Sequence, residues 1–186
     1  MVINNNEKNL LIVVDMQHDF VDGSLGTPEA QAIVPKVDNL IENGNFDEIY
    51  YTFDTHYPNY LNTLEGKKLP VKHCTFGTNG WALSTNHSPN EKKYEIIKNT
   101  FGYINWDHKL SCVDFWEDDK KPNIESITIV GLCTDICVIS NALILRAYLP
   151  NTPIICDASC CAGTTPEAHK AALTVMKSCQ IDVINE

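Results

Sequence analysis

The chain alternates short, wholly apolar runs with longer stretches whose apolar residues recur at helical spacing. Leu10-Leu11-Ile12-Val13-Val14 is the first such run, and a continuous apolar segment of that length predicts a strand buried on both faces. Similar short runs predict strands at residues 48–53, 94–97, 126–130, 152–156 and 181–184. Helical spacing carries Ile33, Val37, Leu40 and Ile41 in a segment that Thr27-Pro28-Glu29 opens and Gly44 can end. It recurs over residues 138–145, and over 168–178 behind Thr164-Thr165-Pro166-Glu167. A further helix is expected near residues 108–116. Strands alternating with helices imply right-handed crossovers and an α/β fold of three layers: a mainly parallel six-stranded sheet with helices on both faces, in a Rossmann-like layout. No internal repeat or linker divides the chain, and residues 1–186 read as a single domain. Residues 55–92 break the rhythm. They hold scattered Gly, Pro and Asn with little periodicity, and a loop of that length inside a compact domain is usually functional or disordered.

Composition narrows the function rather than the fold. A formal net charge of −10, with no basic cluster, argues against nucleic acid or an anionic membrane as a partner. No apolar run reaches membrane-spanning length, and the polar start from Met1 to Lys8 carries no secretory pattern. The eight cysteines include no C-x-x-C pair and no periodic framework, so they read as reduced thiols of a cytoplasmic protein. Adjacent Cys160 and Cys161 read as packing or incidental thiols, because vicinal bridges are strained.

Chemistry enters at the carboxyl ends of the predicted strands, where open α/β sheets bind their ligands. Asp15, Asp54 and Lys98 close the first three strands. The fourth leads through Gly131-Leu132-Cys133-Thr134-Asp135-Ile136-Cys137 into a helix. Four capable positions on one edge predict an active site. At a tight strand-to-helix turn, unpaired backbone N–H groups are expected to favour the Cys137 thiolate over a reference pKa of about 8.5 and to receive a developing oxyanion. Asp54-Thr55-His56 puts a carboxylate and an imidazole two residues apart on one side of an extended chain, which suits a metal. His73, in a loop held by Pro70, is a third candidate ligand. Phe20 is a candidate wall of the substrate pocket. Trp81 and Trp106 fall near the site in sequence but serve equally as packing. His18, His87 and His108 read as surface or locally bonded residues, and Cys74, Cys112, Cys156 and Cys179 as packing thiols.

These segments resemble the isochorismatase-like cysteine hydrolases, and especially their nicotinamidase-related amidase branch. The resemblance rests on Val14-Asp15-Met16-Gln17-His18-Asp19-Phe20, Asp54-Thr55-His56, Leu69-Pro70-Val71-Lys72-His73-Cys74 with Gly77-Thr78-Asn79-Gly80, Lys98-Asn99-Thr100, and the Gly131 to Val138 segment. They occur in the family's order, and Asp157-Ala158 and His169 follow. The resemblance implies a catalytic triad of Asp15, Lys98 and Cys137, with Cys137 attacking an amide carbonyl and Asp15 moving the proton. It implies an oxyanion hole from the backbone N–H groups of Cys133 and Cys137, with a cis Leu132–Cys133 peptide. It also implies a divalent ion, zinc before iron or manganese, that orients the substrate. The commonest family pattern has a histidine six residues after His56, where this chain has Asn62. Another branch uses a glutamate nine residues after that histidine, which is Glu65 here. The expected metal ligands are therefore Asp54, His56, Glu65 and His73. The implied substrate is a small carboxamide, nicotinamide first, hydrolysed to nicotinate and ammonia as in NAD salvage. A homo-oligomer is expected by the same analogy.

The chain also departs from the commonest form. Leu69 and Pro70 stand where a substrate-stacking tryptophan is often found, Asn99 replaces a glycine, Cys133 an alanine and Ile136 an aromatic. These positions touch the pocket more than the reacting groups, so a related amidase acting on another small amide or carbamoyl compound stays open. An isochorismatase proper has no need of Cys137, and a non-catalytic metal-binding module has no need of Asp15, Lys98 and Cys137 together.

Overall fold

The computed structural model describes residues 7–86, 93–110 and 123–186. Six strands, β1 (Lys8–Val14), β2 (Glu48–Asp54), β3 (Lys93–Lys98), β4 (Ile124–Leu132), β5 (Ile154–Ala162) and β6 (Asp182–Ile184), form one sheet in the order β3-β2-β1-β4-β5-β6. Every neighbouring pair is parallel. The apolar run of β1 lies between β2 and β4, and Leu10 to Val14 are all buried. Each such side chain contributes about 2 kcal/mol by leaving water, which makes β1 the spine of the sheet.

The helices are α1 (His18–Val21), α2 (Pro28–Asn43), α3 (Leu64–Lys68), α4 (Trp106–Lys109), α5 (Ile139–Tyr148) and α6 (Pro166–Ser178). The Thr27 side chain caps α2 by accepting from the Ala30 N–H, and Ile33, Val37 and Ile41 face the core. Pro35 sits inside α2 and removes one donor from its ladder, on the exposed side where water can serve the orphaned carbonyl. None of the described helices is long and apolar enough to cross a membrane.

The strand order reverses at the centre. From β1 the chain steps outward to β3, returns to β4, and steps outward the other way to β6. Right-handed crossovers then put α2 on one face and α5 and α6 on the other. The reversal opens a crevice outside the carboxyl ends of β1 and β4, where open sheets bind ligands. Gly131 lines that junction: it pairs with Val14 on one side and Cys161 on the other, at φ +115°. A Cβ there would run into the Val14 backbone.

Two sequence expectations change. β5 does not stop near Asp157 but runs to Ala162. A register shift opposite β4 takes up the extra residues, pairing Ile129 with Cys156 and Gly131 with Cys161. The Asp157 carboxylate is absorbed locally by the Ser159 N–H and hydroxyl and the Asn185 amide. The helix expected over residues 108–116 is a single turn, α4, that starts earlier on the buried Trp106; residues 111–116 lie outside the described part. The aperiodic segment after β2 folds around short turns at Tyr60–Asn62 and Asn79–Trp81 and around α3. Asp19 pins it from α1, accepting from the Cys74 N–H at 2.7 Å.

Candidate active site

Asp15, Lys98 and Cys137 converge at the crevice. Asp15 follows β1 in a left-handed conformation, φ 48°, which aspartate tolerates better than most residues. Its side chain is fully buried: Lys98 Nζ donates to Oδ2 at 2.6 Å, and the Thr52 hydroxyl donates to Oδ1 at 2.6 Å. Lys98 ends β3 in direct register with Asp54 at the end of β2. Cys137 is buried in the same crevice, within reach of the charges of Asp15, Lys98 and Asp54. Burial pushes the Asp15 carboxyl up, the Lys98 charge opposes it and the Asp54 charge supports it, and the carboxyl ends above its ordinary value. Burial pulls Lys98 down, but the charges of Asp15, Cys137 and Asp54 more than reverse that and hold the ammonium charged.

Cys137 differs from its sequence reading in one respect. The chain does not pass from β4 straight into an α-helix; a π turn over Thr134–Val138 intervenes before α5. Its open geometry lets both the Ile136 and Val138 N–H groups donate to the Cys133 carbonyl, at 3.0 and 3.1 Å. The Leu132–Cys133 peptide is cis. The thiol was expected to be held down by backbone N–H groups. Instead burial, then the Asp15 charge, push it well above its ordinary value, with Lys98 opposing. Burial and the Asp15 charge both favour the protonated form of the sulfur. Burial of the whole turn outweighs the field of a few amides.

A second cluster lies one strand away. Asp54 Oδ2 is 3.0 Å from His56 Nε2 and 3.5 Å from His73 Nε2, and one ligand-type atom from each of the three residues falls within 4.8 Å of the others. Glu65, on α3, reaches His56 Nε2 at 3.6 Å and His73 Nε2 at 3.9 Å. The His73 Nδ1 faces the Val71 carbonyl at 2.8 Å, which sets the tautomer that leaves Nε2 as an acceptor. His56 Nε2 is buried beside the Asp54 carboxylate yet makes no hydrogen bond, an ion-pair contact only. Burial pushes the Asp54 carboxyl up, but the two imidazoles and Lys98 hold it well below the usual carboxylate range. Two acidic oxygens facing two imidazole nitrogens, one of them orphaned, fit a divalent cation.

Other residues settle into supporting places. Phe20 packs its ring against His73, 5.5 Å between centroids. Trp81 bonds the Thr55 hydroxyl, and Trp106 is wholly buried. His18 bonds Asp22 and Ser84, as a locally bonded residue. Cys74 and Cys156 are buried, and all seven cysteines among the described residues are free thiols. His87 and Cys112 lie outside the described residues.

Two residues of the site escaped the sequence reading. Thr52 holds the second oxygen of Asp15. Gln17, fully buried, accepts from the Asp54 N–H and donates to the Asp54 and Trp81 carbonyls, fixing the end of β2. Thr52 read as one of several β-branched strand residues, and Gln17 only as part of a motif. Their partners lie dozens of positions away, beyond any local pattern.

Comparison with known proteins agrees with this layout. Residues 9–186 match the family model described as Isochorismatase domain. A nicotinamidase of Schizosaccharomyces pombe is 27% identical, covering 95% of this chain and 92% of that one. A crystal structure of the pyrazinamidase of Pyrococcus horikoshii in complex with zinc superposes with a TM-score of 0.72 at 27% identity, covering 96% and 99% of the two chains. The N-carbamoylsarcosine amidase of Thermoplasma acidophilum superposes with a TM-score of 0.74 at 26% identity, over 95% of each chain.

Proposed function

We propose that this chain, which belongs to the isochorismatase domain family, is an amidohydrolase that cleaves a small carboxamide, nicotinamide first, into the acid and ammonia. The observation that carries this reading is the buried pair of Lys98 and Asp15 at 2.6 Å in the crevice that also holds the Cys137 thiol, on which both charges act. The similarity to a nicotinamidase and a pyrazinamidase supports the substrate.

In this reading the Cys137 sulfur attacks the amide carbonyl while its proton passes to Asp15, whose raised proton affinity suits a base. Lys98 stays charged throughout and stabilises whichever of the two groups is the anion. The backbone N–H groups of Cys133 and Cys137 receive the oxyanion, each contributing about 3 kcal/mol. Asp15 gives its proton to the leaving nitrogen, ammonia departs, and a thioester remains on Cys137. Asp15 then takes a proton from the water that hydrolyses the thioester and returns it to sulfur. Phe20 walls the substrate pocket. Asp54, His56, Glu65 and His73 would hold a divalent ion, zinc before iron or manganese, with the buried His56 nitrogen, which makes no hydrogen bond, as one expected ligand atom. When bound, the ion supplies an anchor for a ring nitrogen of the substrate, which fixes its orientation.

The similarity to a carbamoyl amidase supports a second reading, hydrolysis of another small amide or carbamoyl compound. One screen separates the two: ammonia release from nicotinamide and from a panel of small amides and carbamoyl compounds, with Cys137→Ala as control. Wild type releases ammonia from one class and the variant from none. Equal release by both would remove Cys137 as nucleophile. For the ion, elemental analysis of purified protein should show about one divalent metal per chain, with Glu65→Ala losing most of it; full retention would strike Glu65 from the ligands. The scattered cysteines, without a disulfide framework, fit a cytoplasmic enzyme, and we take residues 1–186 as one hydrolase domain that self-associates.

A further inference from the structure

Asn141 lies in the first turn of α5 and is wholly buried, next to core residues such as Ala142 and Leu145. Asparagine is a poor helix former, and a buried amide without partners would cost about 1–3 kcal/mol. Here every valence of the amide is used. Nδ2 donates to the Cys137 carbonyl at 2.8 Å and to the Phe101 carbonyl at 3.4 Å. Oδ1 accepts from the Tyr103 N–H and from the Trp106 indole N–H, both at 2.9 Å. An amide has two donors and two acceptor sites, so nothing is left over.

The partners fall into two groups that the site needs to keep together. One is Cys137 itself. The others, Phe101, Tyr103 and Trp106, belong to the segment that leaves Lys98. Among the described residues β3 is the edge of the sheet, with β2 as its one strand neighbour, so Lys98 has the least braced strand of the three site residues. Among the described residues, α5 holds much of the chain after Lys98, and Trp106 also packs edge-on against Tyr50 of β2. Gly102 packs without a side chain against Ile144 and Ser140, and Tyr148 donates to the Ile104 carbonyl at 3.1 Å. Asn141 links that contact to the nucleophile's backbone through the Cys137 carbonyl.

We propose that Asn141 is a positioning residue that sets the distance between the strand end carrying Lys98 and the turn carrying Cys137. The proposal rests on the amidase reading for its kinetic arm only. Asn141→Leu removes all four bonds at nearly constant volume; Trp106→Phe keeps a ring in the core and removes one bond on the lysine side. A displacement of about 1 Å can cost on the order of 10²-fold in rate. The expected result is a kcat lowered about 10–100-fold in Asn141→Leu and several-fold in Trp106→Phe, with KM within about threefold of wild type.

A purely structural role would lower stability and leave kcat of the folded protein alone. Alkylation of Cys137 by iodoacetamide, read by peptide mass spectrometry, tests the same link without turnover. Its rate at fixed pH should change at least threefold in either variant, and not at all when Lys98 is already methionine. If Asn141→Leu does not fold, Trp106→Phe carries the test. A folded variant with kcat and alkylation rate within twofold of wild type overturns the proposal, and so does an alkylation effect that persists in the Lys98→Met background. An absence of hydrolysis by wild type itself would instead count against the amidase reading and leave the alkylation arm standing.

Discussion

Asp15 and Lys98 act on the Cys137 proton in opposite directions, and the balance between them can be measured at that sulfur. The Asp15 charge raises the Cys137 thiol, while Lys98 lowers it. Asp15→Asn removes the first and keeps the second, so the thiol should ionise at lower pH and alkylate faster near pH 8. Hydrolysis should fall by about 10²–10⁴-fold all the same, because nothing remains to carry the proton. The two readouts, alkylation and ammonia release, move in opposite directions only if Asp15 acts as a base. Slower alkylation together with lost turnover would mean that the variant has simply lost its site. Thr52→Val is the milder companion: it removes the hydroxyl on Oδ1 but leaves Lys98 on Oδ2, and a several-fold loss of kcat is expected.

Among the elements, β4 bears the tightest constraint, because its end meets β1 at Gly131 before the chain turns into the Cys137 segment. Gly131→Ala meets both a left-handed backbone angle and the Val14 main chain, and a loss of about 2 kcal/mol or more is expected in urea unfolding. A neutral result would show that the two strands can part at the crevice. The same junction marks what the sequence could disclose. β1, β2 and α2 were legible because their burial follows periodicity and their caps are local, Thr27 being the clear example. The strand ends bearing Asp15 and Asp54 followed from those strands, and Lys98 from the short run of β3. The continuation of β5 did not, since a register shift depends on the neighbour and leaves no mark in small and polar residues such as Ala158 and Ser159. The π turn was likewise invisible. It differs from an α turn by one residue of pitch, and the burial that raises the Cys137 thiol belongs to the assembled crevice. Asn141 looked like any polar residue on a helix, because its partners arrive from a loop 35 to 40 positions upstream.

For the whole molecule, the buried pair of Lys98 and Asp15 ties the edge strand β3 to the central strand β1 across β2, and its sign can be read from stability against pH. Lys98 is raised above its ordinary 10.5, so its contribution is fully present below that pH and is lost as pH climbs through the raised value. Asp15 is a carboxyl raised above 3.8, so the folded chain binds its proton more tightly than the unfolded chain does. Its ionisation therefore weakens the fold as pH rises through the raised value, and the Lys98 charge limits the damage. In Lys98→Met that limit is gone. The carboxyl should rise further, and the variant should lose stability with pH more steeply than wild type. Urea unfolding near pH 5 should find the two proteins closer than at higher pH, since a lower pH favours the neutral Asp15 that the variant tolerates better. Near pH 8 the gap should widen to about 3–5 kcal/mol, the usual penalty for leaving one member of a buried pair alone. A gap that stays constant between those two pH values would mean that Asp15 does not depend on Lys98 for its charge. The pair would then be a packing contact rather than the electrostatic link on which the catalytic reading stands.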